Sequence, residues 1–176
     1  MGVYIRTIKP TKFLLSFEDE KKCIENNDYS IIDSDNSYPL YCLEGFEPTQ
    51  HLTQFDWGYW ECEQPTDNEI SVPYSTWGQF RLCLAKLVDN KLSSTDYWYN
   101  KTLVDKPFFE IINFADNEGA FDYLICEELV KDFEEYYDKA KELYDNEENQ
   151  HWWYMYQNIL NIIKDCIECK GVVYYS

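Results

Sequence analysis

The chain has 176 residues, a formal net charge of -18 and a pI near 4.3, with 45% apolar and 18% aromatic residues. That length suits one domain able to bury a core without metal or disulfides, and an aromatic share this high excludes a disordered chain despite the charge. The negative balance opposes nucleic acid and anionic membranes as direct partners and favours a basic protein.

Val3 and Ile5 alternate with Tyr4 and Arg6, which predicts an opening strand that stops at Pro10, with a second short strand from Lys12 to Phe17. From Glu18 to Ser37 the composition turns to Glu, Asp, Asn, Ser and Lys, so a loop with one helical turn is expected. Tyr38 to Leu43 and Phe55 to Cys62 are the next predicted strands. The second carries Phe55, Trp57 and Tyr59 on one face and Trp60 and Cys62 on the other, as suits an interior strand.

Thr76 and Gln79 have the spacing of a capping box. Trp77, Phe80, Leu84, Leu87 and Val88 then recur at three and four residues and predict a helix ending near Asn90. The connection from Asn90 to Lys106 carries Tyr97, Trp98 and Tyr99, expected on the surface.

Pro107 to Phe114, with Phe108, Phe109, Ile111 and Ile112, reads as a central apolar strand. A carboxylate-rich turn, Asp116-Asn117-Glu118-Gly119, follows it. The helix predicted from Asp122 to Asp145 places Ile125, Leu129, Phe133, Tyr136, Ala140 and Leu143 along one side. A second long helix, Glu148 to Cys169, has Trp152, Tyr156, Ile159, Leu160, Ile163 and Ile167 as its apolar face and Gly171 as its stop. Val172 to Tyr175 closes the chain as a strand. The predicted architecture is α+β: residues 1–176 as a single domain, with a small, mainly antiparallel sheet packed by about three helices.

Seven cysteines, an odd number, and no secretory segment at the start predict a reduced, cytoplasmic protein. No apolar run is long enough to span a membrane. Cys166 and Cys169 have the Cys-x-x-Cys spacing, but they sit at the end of a predicted helix, and no second such pair supplies a zinc site, so packing is the expected role. His51 and His151 are each isolated. No nucleophile elbow and no glycine-rich phosphate loop is present, so neither a metal centre nor a cofactor is expected.

Enzymatic chemistry survives only through carboxylates. Asp116 and Glu118, joined by Asp122, have the donors for a hard cation or an acid and base pair, the alternative being a metal-dependent hydrolase or nucleotide-processing enzyme. The same residues also build turns and caps through their own backbone, and the loop lacks the ligand ladder of a calcium hand, which favours a structural turn.

The charge pattern points elsewhere. Between Glu110 and Glu148 stand fourteen acids against three lysines. On a continuous helix Glu127, Glu134, Asp138 and Asp145 fall on the side away from Leu129 and Phe133, in a stripe roughly 27 Å long. Local pairs of Glu127 with Lys131 and Glu135 with Lys139 are expected to support the helix. A charge of -18 exceeds the magnitude of about 2 to 8 that keeps a small domain soluble. Aromatic residues interleaved with the acids, Trp98 and Tyr137 among them, suit a steered protein interface. The expected function is therefore a non-enzymatic acidic inhibitor that occludes a basic surface of a nucleic-acid-handling enzyme such as a nuclease. Its binding residues would be Glu127, Glu134, Asp138, Asp145, Tyr137 and Trp98.

The run Phe109 to Gly119, the phrase Leu129-Val130-Lys131-Asp132-Phe133 and the closing Gly171-Val172-Val173 resemble an uncharacterised family of small bacterial and phage-borne proteins. In that family an Asn-Phe-Ser-Asp-Cys-Glu-Gly phrase precedes a Leu-x-Lys-Asp-Phe helix. Asp116, Glu118 and Gly119 match it, whereas Ala115 and Asn117 replace its Ser and Cys, so a thiol role at the turn does not carry over. The resemblance implies no activity. The expected inhibitor would act in one of two settings, immunity to a toxin nuclease or phage-borne inhibition of a bacterial defence system, which the sequence does not separate.

Overall fold

A computed structural model describes residues 2–41, 54–93, 96, 103, 105–113 and 119–176. Its spine is strand β1, Gly2–Ser16, which runs straight through the predicted stop at Pro10. Register shifts between Pro10 and Lys12 and between Phe13 and Leu15 absorb the proline at a bulge, where a missing N–H is tolerated.

Along one side β1 meets two strands in succession. β3, Gly58–Glu63, pairs from Ser16 to Lys9, and β4, Glu69–Pro73, continues from Arg6 to Gly2. Residues 64–68 loop out between them, and Thr66 and Asn68 each donate a side-chain hydrogen bond to Asp165, at 2.8 and 2.7 Å. β6, Val172–Tyr175, pairs the other side of β1, β5, Gly119–Asp122, pairs β6, and β2, Ser37–Leu40, pairs β3. Every pairing is antiparallel, in the order β2-β3-β1-β6-β5 with β4 beside β1. The Ala120 N–H donates to the Tyr41 carbonyl at 3.1 Å, so the sheet curls until its two ends touch.

The curl gives the sheet two apolar faces. Val3, Ile5, Ile70, Phe121, Val173 and Tyr175 pack under the helices, while Ile8, Leu40, Cys62, Ala120, Val172 and Tyr174 fill the inside of the curl. β3 lies between β2 and β1, the interior place that its two aromatic faces predicted, although Phe55 and Trp57 precede the strand.

Six helices occur among the described residues. α1, Phe17–Glu25, is longer than the one helical turn expected and takes the first part of the expected loop; its start is an N-cap that the sequence reading passed over, the Ser16 Oγ accepting from the Asp19 N–H and donating to the Asp19 carboxylate. α2, Tyr74–Val88, begins two residues before the predicted cap, directly after Pro73 and with no side-chain cap, so Thr76 and Gln79 do not form the expected box.

The largest correction concerns Pro107 to Phe114. In place of a strand the chain forms α3, Phe109–Asn113, a short helix whose Phe109, Ile111, Ile112 and Asn113 are buried. Its apolar run lacks period-two alternation, and burial on all sides satisfies a helix as well as a strand. Phe114 lies outside the described residues. The strand comes later, as β5, where only a turn and a helix start were expected.

The predicted helix from Asp122 to Asp145 is two helices, α4, Tyr123–Glu135, and α5, Tyr137–Tyr144. Between them the Tyr156 hydroxyl, from α6, Gln150–Cys169, donates to the Phe133 carbonyl at 2.6 Å. That carbonyl would otherwise take the Tyr137 N–H, so a side chain has entered the ladder and broken it. α6 ends in a left-handed Lys170, with Lys170 N–H to the Ile167 carbonyl and Gly171 N–H to the Cys166 carbonyl. Gly171 is required for a different reason than a helix stop: a Cβ there would lie 2.3 Å from the Ile8 carbonyl oxygen of β1.

Candidate functional site

Asp122 sets the start of α4. It is buried, its Oδ1 accepts from the N–H groups of Leu124 and Ile125, and its Oδ2 accepts from the Gln54 N–H at 3.0 Å. Both oxygens are therefore engaged by backbone, in the role of a helix cap. Asp116 and Glu118, the other two members of the carboxylate alternative, lie outside the described residues, as does Trp98. Gly119 enters β5 at a φ of 121°, the positive angle that a turn glycine supplies.

Burial fixes how the acidic helices are turned. Cys126, Leu129 and Phe133 of α4 and Ala140 of α5 enter the core, Ile125 and Tyr136 are half-buried, and Leu143 is 46% exposed, contrary to its predicted place on the apolar side. α6 buries Trp153, Met155, Tyr156, Ile159, Leu160, Ile162, Ile163 and Cys166, with Trp152 and Ile167 half-buried. Each such large apolar side chain, fully buried, is worth about 1.5–3 kcal/mol, which is what holds a charged helix pair against the molecule.

Glu127, Glu134, Asp138 and Asp145 are all exposed. The break at Tyr136 falls between Glu134 and Asp138, yet both line one groove with Tyr137 on the near wall and Gln157, Leu160, Asn161 and Lys164 of α6 on the far wall. This open groove measures about 490 Å³. The middle of the stripe thus flanks α6; it does not stand on the far side of the molecule. Lys164 bridges Glu134 at 2.9 Å with the two side chains 49% and 59% exposed, and a pair so solvated contributes about 0–1 kcal/mol.

The predicted local pairs are replaced by others. Lys131 bridges Glu128 at 2.6 Å. Lys139 donates to the Leu87 carbonyl of α2 and lies 5.7 Å from the centre of the Tyr136 ring, so it tethers α5. Tyr144 does the same at the other end, its hydroxyl donating to the Cys83 carbonyl at 3.1 Å. Tyr137 is half-buried, its ring edge-on to Trp153 at 5.1 Å, so it forms part of the groove wall and is no free anchor.

Asp132 is a carboxylate that the sequence reading did not single out. It accepts from the Phe108 N–H at 2.7 Å, holding a buried phenylalanine in the left-handed region at a φ of 61°. Burial raises the Asp132 carboxyl above its ordinary value of 3.8; Glu135 and Glu128 add to this, while the Phe108 bond and Lys131 oppose it.

Cys166 is buried in α6, and burial pushes its thiol well above the usual range; Cys169 is half-buried, pushed up to about 11 by burial, and its thiol donates to the Cys166 carbonyl. Protonated, packed thiols fit the structural role expected of this pair. Among the described residues no three His, Cys, Asp or Glu side chains are grouped to hold a metal ion. His151 is exposed with its ring 3.9 Å from that of Trp152, and His51 lies outside the described residues. No described helix is long and apolar enough to cross a membrane.

The chain matches no protein-family model, no curated protein and no solved structure in comparisons with each.

Proposed function

We infer that the chain is a protein-binding inhibitor whose acidic helices dock on a basic surface of a partner and block it, the partner being a nuclease or another nucleic-acid-handling enzyme. The observation that carries this reading is the exposure of all four stripe carboxylates, of which Glu134 alone meets a lysine among the described ion pairs, and that lysine is itself half-exposed. The bridge is too weak to hold the stripe closed against a partner's cations.

The mechanism is occlusion. Carboxylates stand where a nucleic acid's phosphates would, a net charge of -18 steers the encounter, and Tyr137 and Leu160 supply apolar surface on the two walls of the groove. The groove residues Gln157 and Asn161 add carbonyl acceptors for a lysine or arginine head. Toxin immunity and phage-borne inhibition of a defence enzyme use the same surface chemistry, and the identity of the captured partner separates them.

The test is capture of partners from a bacterial lysate on the immobilised full chain, followed by association kinetics with the purified partner. Glu127→Lys together with Asp138→Lys is expected to slow association by about tenfold or more at low salt and to flatten its salt dependence. Unchanged kinetics would remove the stripe from the interface.

A further inference from the structure

β4 is an open edge. Tyr4 exchanges both backbone hydrogen bonds with Ser176, at 2.8 and 3.0 Å, so its N–H and C=O face β6. By the alternation of an antiparallel ladder, the backbone groups of Val3 and Ile5 face β4 instead, and their partners Val72 and Ile70 turn inward to meet them. The N–H and C=O of Glu69 and Ser71 are thereby directed away from the sheet. Among the described residues β4 pairs with β1 alone, and Glu69, Ser71 and Pro73 are exposed.

Sheet edges are ordinarily blunted by charged side chains, proline, bulges or a covering element. Glu-Ile-Ser-Val-Pro has a charge at Glu69 and a proline at Pro73, which guard its two ends and leave Ser71 between them open. Beside the edge lies a cleft of about 230 Å³ between Ile70 and Val72 of β4 and His151, Tyr154 and Met155 of α6. Tyr154 is 63% exposed at its mouth, which makes it the most exposed large apolar side chain among the described residues.

We propose that β4 and this cleft receive an extended segment of a basic partner protein as an added strand, with an apolar side chain in the cleft and a lysine or arginine beside Glu69. Three features select that occupant. Donors and acceptors at strand spacing are matched by an extended chain, not by a helix or a small solute. The cleft is lined in part by the apolar side chains of Ile70, Val72, Tyr154 and Met155, of which Ile70 and Met155 are buried. Asp67 and Glu69 stand exposed at the start of the strand, and the charge of -18 disfavours a second copy of the chain while attracting a basic segment. These residues are separate from the acidic helices, so this site and the groove on α4 and α5 stand or fall independently.

The experiment pans a displayed library of random linear dodecapeptides against the immobilised full chain and titrates the enriched peptides, made synthetically, in about 0.15 M salt. Enriched sequences are expected to carry an apolar residue flanked by lysine or arginine, and binding to slow amide exchange at Glu69 and Ser71. Ser71→Pro deletes an outward N–H while leaving the ladder to β1 intact, and Tyr154→Asp puts a charge at the cleft mouth from an exposed helix position. Each is expected to weaken binding by about tenfold or more, with Asp35→Asn, at an exposed position away from both surfaces, within about twofold of the parent. Should Ser71→Pro fail to fold, Tyr154→Asp and the exchange rates decide. The proposal is overturned if no peptide is enriched, or if enriched peptides bind Tyr154→Asp as tightly as the parent and leave Glu69 and Ser71 exchanging as in the free chain.

Discussion

Phe108 and Asp132 show how one carboxylate can hold a backbone conformation that a bulky residue avoids. The left-handed region costs a non-glycine residue roughly 1–2 kcal/mol, and here the cost is offset by a hydrogen bond from the Phe108 N–H and by packing of its ring against Phe133 at 5.0 Å and Tyr136 at 5.5 Å. Asp132 itself carries a pH signature. Its carboxyl is raised in the folded chain, so the folded state holds that proton more tightly than the unfolded one. The resulting stabilisation is full below the ordinary aspartate value of 3.8 and is lost as pH rises through the raised value. Asp132→Asn keeps an oxygen for the Phe108 N–H and removes the half-buried charge. Its melting temperature is expected to change less than the parent's between about pH 4 and pH 7, with a shift of about 2–4 °C for each kcal/mol involved. Parallel profiles for the two proteins would show that Asp132 does not titrate in this window.

The break between α4 and α5 is decided by a partner helix. Nothing in Phe133 to Lys139 breaks a helix by propensity, since there is no proline and no glycine. The Tyr156 hydroxyl takes the Phe133 carbonyl, while Lys139 and Tyr144 pull α5 towards carbonyls of α2. Tyr156→Phe is therefore expected to lose a buried hydrogen bond worth about 1 kcal/mol and to free the Phe133 carbonyl for the Tyr137 N–H. Hydrogen exchange should then report slower exchange at Tyr137 in the variant. A drop in stability with Tyr137 unchanged would mean that the tethers to α2, and not the hydroxyl, set the break. The break also matters for binding, because it sets the approach of Glu134 and Asp138 to the wall formed by α6.

The molecule as a whole is over-charged for its size, and its described ion pairs are Asp19 with Lys22, Glu128 with Lys131 and Glu134 with Lys164, each on exposed side chains. Self-repulsion should therefore exceed local attraction. Raising sodium chloride from about 0.01 M to about 0.15 M shortens the screening length from about 30 Å to about 8 Å, and the melting temperature is expected to rise with it. A flat or falling curve would mean that attractive pairs balance the surplus, and the argument for a surface kept acidic for a partner would lose its premise. The curled sheet supplies the counterweight: it buries apolar side chains on both faces, and the charged helices rest on the one to which β1, β4, β5 and β6 contribute.

Composition and periodicity alone determined the α+β class, the apolar faces of α2 and α6, the closing strand and the acidity of the segment from Glu110 to Glu148, because these depend on side-chain chemistry repeated along one stretch of chain. The tertiary structure decided what depends on residues far apart. Pro107 to Phe114 is apolar throughout, so its own pattern did not choose between strand and helix; Asp132, twenty-four residues on, accepts the Phe108 N–H that opens α3. The kink after Glu135 needed Tyr156, the bulge at Pro10 needed β3, and the open edge of β4 needed the register of β1 against Ser176. Hydrogen bonds between distant residues leave no periodic trace in the sequence, and in this protein they shape both surfaces on which a partner is expected to sit.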